Sequence, residues 1–431
     1  ADTGVDLAGI VTATTFSGSG ASLTNLPAAN LTGSLPAISG ASLTGMASTD
    51  NVRTGILDVA GISTFRNTMN VGAAVTISES GIEASGIGIT CANINGTQIS
   101  GRRNIIINGA MQVAQRATSV TVTNSVRGYQ TLDRFEYNIH GTTTHEMTMA
   151  QSSESPDGFS SSLKFSTTTA DASLTSTQAH YLTTEIEAQD LQQLAYGTSS
   201  AKSFTLSFYV KGTITGTYVV WFYASDTGKA LTKTYTISSA NTWERKTITV
   251  AGDTSSAINN DNGSGLFIRW VLGTGPDYSS GSASTTWSTD GYTNANRYVG
   301  QTANIAATTS DNWAITGVQL EVGTQATAFE HRSFAEDLAL CQRYYFQGDG
   351  QELGASLNNY YGCAYGSGNA MIKVSFPVTM RAKPTVTAPS AHSGGGSFDT
   401  VYENFTEIVY YITGDDSVSI APSQVKVSAE L

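Results

Sequence analysis

Charge is scarce in this chain. Only 13% of its 431 residues are Asp, Glu, Lys or Arg, against ~25% in an ordinary globular protein. The shortage is greater on the basic side: 22 Lys and Arg face 34 Asp and Glu, for a formal net charge of -12. A surface of that sign repels phosphate backbones and anionic membranes unless a local patch overrides it, so nucleic acid is not expected as a partner. The adjacent pair Arg102-Arg103 is read as a structural contact at a segment boundary. Cysteine is scarce too. Cys91, Cys341 and Cys363 are odd in number and lack a C-x-x-C spacing, which argues against a disulfide framework and a zinc ribbon. No apolar run approaches the ~18 residues of a membrane span, and the N-terminus lacks the order of a signal peptide. The chain therefore reads as soluble, with no membrane insertion expected.

Catalytic motifs are missing as well. There is no G-x-S-x-G elbow, no H-E-x-x-H, no Walker A loop, and no G-x-G-x-x-G after a strand. His140 and His145 lie in a Thr- and Met-rich stretch and are read as strand or surface histidines. The loop Asn259–Gly265 has too few acids for calcium. Neither a metal nor a cofactor is expected. A polysaccharide hydrolase would need two carboxylates ~5 to 9.5 Å apart. Asp133, Glu136, Glu185 and Glu187 are candidates, although any β protein rich in acids offers such pairs. A parallel β-helix depolymerase would also need a longer ladder than the first 100 residues supply. The expectation is therefore a protein that is not an enzyme.

What the chain does have is 43 glycines and abundant Ser, Thr and Asn, a composition of strands and turns. Residues 1–101 behave as one repetitive region. GASLT occurs at Gly20 and again at Gly40, and Gly-Ile steps recur at Gly9, Gly55, Gly61, Gly81 and Gly86. One such unit has a single thin apolar face that it cannot bury alone, which leaves a solenoid, a tether, or several chains wound about one axis. The regular Ile, Leu and Val argue against simple disorder. The expectation is an extended shaft in which Phe16 and Phe65 are candidates for an interface between chains.

From Arg102 the texture changes to long alternating runs. KSFTLSFYVKG places Phe204, Leu206, Phe208 and Val210 on one face and Thr205, Ser207 and Tyr209 on the other. TYVVWFYASD, WERKTITV, GLFIRWVLG and NWAITGVQLEVG add further strands. The fold class expected is all-β, with a two-sheet sandwich over 102–332. A helix is predicted to interrupt it at TEIEAQDLQQLAYG, with Ile186, Leu191 and Leu194 on one face and Gly197 as the C-terminal cap. A linking helix is predicted at 333–346, where Ser333 and Glu336 have the spacing of a capping box. Phe334, Leu338, Cys341 and Tyr345 form its apolar stripe, suited to a domain junction or a helix bundle on a symmetry axis. Residues 347–431 read as a small C-terminal β domain.

Two loops have the composition of a sugar site, which wants aromatic rings for the C–H face and amides or carboxylates for the hydroxyls. One offers Tyr278, Trp287, Tyr292 and Tyr298 beside Asp290, Asn294 and Asn296. The other offers Tyr360, Tyr361 and Tyr365 beside Asn358 and Asn359. The competing reading for each ring is packing beneath a loop or between subunits.

RNIIINGAMQVAQR with LDRFEY, then GVQLEVGTQATAFEHRSFAEDLALCQRYY, then FPVTMRAKPTVT and the closing VSAEL resemble the distal tail-fibre proteins of tailed bacteriophages. GIVTATTFSGSGASLTNLPAANLTG resembles their repetitive shafts, particularly in marine and freshwater phages. The resemblance covers nearly the whole chain. It implies a homotrimeric virion component whose N-terminal end is held by a tail or baseplate protein. The C-terminal tip would meet the host surface, where a glycan or other receptor is the expected partner. The central segment is similar to galactose-binding-like jelly rolls. Gln319 to Glu330 is the most specific mark, read as architectural: its apolar positions alternate as a last core strand would. A polysaccharide-degrading tailspike and a bacterial surface adhesin are the alternatives.

Overall fold

The structure is a computed structural model. It describes residues 102–348 continuously, then 368–387, 397–414, 419–420 and 425–431, with short strands between 69 and 98 and between 360 and 364, and a few positions before 16. Phe16, Phe65, Asn358, Asn359 and Tyr365 lie outside the described residues. The chain divides into two compact units, 1–89 and 90–431. In the first, β1 (Met69–Val71), β2 (Val75–Ser78) and β3 (Gly81–Ala84) form an antiparallel meander.

In the second unit, β4 (Asn93–Ile94) and β5 (Thr97–Gln98) make a two-stranded ribbon ahead of the sandwich. The sandwich strands are β6 (Ser119–Val122), β7 (Glu136–His140), β8 (Glu146–Ser152), β9 (Ser162–Thr169), β10 (Ala179–Glu187) and β11 (Phe204–Gly212). They continue with β12 (Gly216–Ala224), β13 (Lys229–Ile237), β14 (Glu244–Val250), β15 (Ser264–Thr274) and β16 (Asn312–Val322). One sheet has the order β13-β12-β15-β10-β7 and the other β14-β11-β16-β9-β8-β6. The fold is all-β, as the alternating runs require.

Period-two alternation builds the core. Phe204, Leu206, Phe208 and Val210 of β11 point inward with Tyr218, Val220 and Phe222 of β12 and Ile268, Trp270 and Leu272 of β15. Trp270 meets Phe208 edge to face at 5.8 Å. Each such fully buried side chain contributes ~1.5–3 kcal/mol. The second face of β11 is covered too: Thr205 and Ser207 are buried, and the Thr205 hydroxyl donates to the Gly323 carbonyl at 2.9 Å.

TEIEAQDLQQLAYG is not one helix. Pairing with β15 carries the strand through Glu187, and only Ala188–Leu194 turns, as a 3-10 helix closed by Ala195 in the left-handed region at φ 52°. Leu191 and Leu194 are buried there, whereas Ile186 belongs to β10. The helix after the sandwich, α1, spans Phe334–Gln342, with both bonds of the capping box formed between Ser333 and Glu336. Its stripe is divided. Phe334 is 54% exposed and Leu338 half-buried. Cys341 is buried within the chain itself, and Tyr345 falls beyond the helix, buried in β17 (Tyr345–Gln347).

The remaining strands are β18 (Tyr360–Tyr361), β19 (Cys363–Ala364), β20 (Asn369–Ser375), β21 (Thr385–Thr387), β22 (Ser397–Glu403), β23 (Glu407–Thr413), β24 (Ser419–Ile420) and β25 (Lys426–Ser428). They form sheets ordered β17-β25-β21, β18-β24 and β19-β20-β23-β22 over a separate apolar cluster that includes Phe346, Ile372, Val374, Tyr410 and Ile412. Polar groups bolt this cluster to the sandwich. Buried Arg134 and half-buried Arg116 both reach the Glu430 carboxylate, Arg134 lies 3.6 Å over the Tyr344 ring, and Arg343 pairs with Glu187 at 2.9 Å.

Candidate functional site

A strand buried on one face ordinarily turns polar residues to water on the other. The five-stranded sheet departs from this. The faces opposite the core carry Glu136, Asn138 and His140 on β7, Tyr181, Thr183 and Glu185 on β10, Phe267, Arg269 and Val271 on β15, and Val219, Trp221 and Tyr223 on β12. Cross-strand register aligns them in rows. Glu136 opposes Thr183, Thr183 opposes Arg269, and Arg269 opposes Trp221. In the next row Glu185 opposes Phe267, and Phe267 opposes Tyr223.

The segment 275–300 folds over part of this face. Ser288 exchanges two backbone bonds with Ala230 at 2.9 and 3.2 Å, extending the ladder beyond β13, and the Thr232 amide donates to Ser284 at 2.7 Å. The Trp221 indole N–H donates to the Gly291 carbonyl at 3.1 Å. Gly291 is required there, because a Cβ would sit 2.3 Å from the Ala230 carbonyl oxygen. Tyr298 is fully buried in a small cluster with Tyr181, Val219, Trp221 and Val271, and Tyr278 packs at its margin.

From the covered part a ladder of rings runs outward, from buried Trp221 through half-buried Tyr223 to exposed Tyr292. Trp221 and Tyr223 stack at 5.3 Å with 14° between planes. Tyr292, 44% exposed, stacks on Tyr223 at 4.6 Å. Phe267 lies 5.5 Å from Tyr223 on the other side. Arg269 is held against Tyr181 and Trp221 at 4.5 and 4.9 Å, and Arg297 stands 4.6 Å over Tyr292. Polar groups border the rings. Burial, together with the nearby Glu185, pushes the Glu136 carboxyl up to about 7. Burial likewise raises Glu185, which accepts from Ser264 at 2.8 Å. Burial, then Arg269, Arg297 and Arg127, press the His140 imidazole down to about 4.

The sequence candidates are thus dispersed. Tyr292 joins the ladder. Trp287 turns elsewhere, donating to the Ala251 carbonyl at 2.9 Å and lining a groove of about 540 Å³ with Leu231, Lys233, Asp253 and Thr285. Asp290 is exposed, and its backbone carbonyl accepts from the Asn296 side chain, so Asn296 serves the loop's own folding. Tyr278 and Tyr298 pack rather than project. In the distal candidate loop, Tyr360 is half-buried against the C-terminal cluster, and Tyr361 pairs with Ser419. Of the four acids, Glu136 and Glu185 share the outer face. Asp133 is buried beside Gln115 and Arg116, and Glu187 is spent on Arg343 and Tyr344. His145 meets Tyr137 at 2.6 Å inside the sandwich. Asn262, in the loop weighed for calcium, donates to the Arg381 carbonyl at 2.7 Å.

Sequence patterning marks Trp221, Tyr223, Phe267 and Arg269 only as members of strands. The available signal was that TYVVWFYASD and GLFIRWVLG place bulky aromatic residues and an arginine on both alternating faces.

No family model matches the sequence, and no curated protein does. Among solved structures, the enzymatically active domain of tailspike protein 4 from bacteriophage CBA120 is similar at 14% identity and TM-score 0.27, over 51% of this chain and 21% of that one. This chain thus spans about a fifth of that domain's length. TmCBM61, in complex with beta-1,4-galactotriose, aligns at 10% identity and TM-score 0.25, over 51% of this chain and 99% of its own. A family 11 carbohydrate-binding module from Clostridium thermocellum, bound to a mixed-linked tetrasaccharide, aligns at 9% identity and TM-score 0.24, over 49% of this chain and 98% of its own.

Proposed function

We propose that this chain is a non-enzymatic adhesion subunit of a phage tail fibre that binds a host-surface glycan and works as a homotrimer. The accessible rings Tyr223 and Tyr292, seated on buried Trp221 and bordered by Glu136, Glu185 and Arg269, carry the glycan part of this reading. A pyranose offers an apolar C–H face to a ring and hydroxyls to the groups around it, and this face supplies both. The resemblance of the shaft repeats and of the 319–330 segment to tail fibres supports the virion part. Three sites per fibre make weak single-site affinity sufficient through avidity.

A glycan array with the full chain tests the binding. We expect retention on a subset of bacterial surface glycans and a loss of roughly fivefold to a hundredfold in Tyr223→Ala and Tyr292→Ala, taking a stacked sugar ring to contribute about 1–3 kcal/mol, as a stacked base does. Retention unchanged in both variants would remove the ladder as the site. Release of new reducing ends from a bound polysaccharide would replace adhesion with depolymerisation. Light scattering tests assembly, with three times the 45.2 kDa of one chain expected. A monomer would remove the fibre reading.

A further inference from the structure

The chain's net charge is -12, yet the outer face of the five-stranded sheet gathers three arginines, Arg269, Arg297 and Arg127, that form no ion pair among the described residues. Arg269 has no ion pair among the described residues, and its one hydrogen bond is a long one, 3.4 Å from Nη1 to the Tyr298 hydroxyl. Its Nε is buried without an acceptor. The Arg297 Nε donates to the Tyr292 carbonyl at 2.9 Å, and Arg297 likewise has no acidic partner. The two guanidinium carbons lie 4.9 and 5.8 Å from the Trp221 ring. Arg127, at the edge of the sheet, donates to the Ile139 carbonyl at 3.3 Å and has no acidic partner either. After burial, the charges of all three hold the His140 imidazole down. Elsewhere Arg102, Arg116, Arg134, Arg332 and Arg343 each meet a carboxylate, and Arg103, Arg245 and Arg381 are satisfied by hydroxyl or carbonyl oxygens; among the described arginines only Arg269 and Arg332 keep a buried Nε without an acceptor.

Holding guanidinium groups against rings without a counter-ion is costly unless an acceptor arrives. Planar guanidinium forks donate to carboxylate and sulfate oxygens in pairs and stack on aromatic faces at the same time. Glu136 and Glu185 border the patch from β7 and β10, and the Arg269 charge acts on both across the face, but among the described residues neither forms an ion pair with it. We infer that the glycan held by this face carries an anionic group, a carboxylate or sulfate, which Arg269 and Arg297 bind while the sugar ring lies on Tyr223 and Tyr292. This deepens the glycan reading and rests on it.

Binding of the full chain to polygalacturonate, alginate and chondroitin sulfate is compared with binding to fully methyl-esterified polygalacturonate, a neutral chain with the same backbone, and to a single-stranded oligonucleotide. At least one acidic polysaccharide should bind tenfold or more tightly than both controls and weaken in 0.5 M salt as screening shortens the reach of the charges. Arg297→Gln and Arg269→Gln should each cost roughly tenfold to a hundredfold for the acidic ligand. Arg297 is the safer variant, because its side chain makes a single backbone hydrogen bond. Equal binding of the esterified chain, or ladder-dependent binding to neutral array glycans alone, overturns the anionic inference and leaves the glycan reading standing. Oligonucleotide binding as tight as the best polysaccharide also overturns it. Silence on every acidic and neutral glycan overturns both.

Discussion

Asn104 and Asn108 show how single side chains set the frame. The Asn108 Oδ1 accepts from the amides of Gln112 and Val113, its Nδ2 donates to the carbonyls of Val113 and Asp133, and its backbone sits at φ 58°, a region Asn tolerates better than most residues. Asn104 ties the same segment to β16 through Val318 and Leu320. Asn108→Ala strands several buried groups, so we expect a loss of about 2–4 kcal/mol in urea unfolding; a loss below about 1 kcal/mol would contradict this account. Glu136 gives a pH signature. Its folded pKa of about 7 exceeds the ordinary 4.5, so the folded state binds its proton more tightly. Its contribution to stability is present below the unfolded value and is lost as pH rises through 7. Glu136→Gln should therefore unfold at a higher denaturant midpoint than the parent at pH 8, with the difference closing by about pH 4.5. A gap that is unchanged or widens on acidification would show that Glu136 is not held as described. Asp133, raised to about 7 by burial, acts in the same direction. Burial lowers His145 and His180; their stability is present above the imidazole's ordinary 6.5 and is lost as the pH falls below it, so the Glu136 comparison must be made as a difference between variants.

At the scale of elements, the segment 275–300 decides what the sheet exposes. It buries Tyr298 and leaves Tyr292 out, and its seam with β13 depends on the close approach of Gly291 to Ala230. Gly291→Ala should lift this seam: we expect glycan retention to fall at least tenfold, with a stability loss of about 1–3 kcal/mol in urea unfolding, the scale of overpacking at a buried position. An unaltered array profile would show that the loop does not shape the site. The loop's aromatic and amide content was legible in the sequence, but the assignment of roles was not. Trp287 and Tyr292 are five positions apart and equally aromatic, yet one seals an edge groove and the other stacks on β12, because the turns between them run under constraints set by Ala230 and Trp221. The helix α1 was legible from its local signal, the capping box. Its end was not, because Tyr344 and Tyr345 are drawn onto Arg134 and Arg116.

For the whole of the second unit, the bolt between sandwich and C-terminal strands is electrostatic. Arg134 is buried, stacks on Tyr344, donates to the Glu185 carbonyl at 2.8 Å and pairs with Glu430, the penultimate residue of the sequence. Arg134→Met leaves Glu430 with Arg116 alone, and we expect about 3–5 kcal/mol of destabilisation, the usual result of removing one partner of a buried pair. A change under about 1 kcal/mol in calorimetry or urea unfolding would show that the apolar contacts hold this junction unaided. The amino-acid sequence determined by itself what depends on near neighbours: the period-two runs that make the class all-β, the inward set of β11, the capping box, and the low charge of the molecule. Tertiary structure alone decided that Glu136, Arg269, Trp221 and Tyr292 meet on one face. They come from four distant segments: the register of β7, β10, β15 and β12 aligns the first three, and the seam of the 275–300 segment on β13 adds Tyr292. Such pairing is fixed by which faces can be buried at once across the sheet, a condition that no local stretch contains.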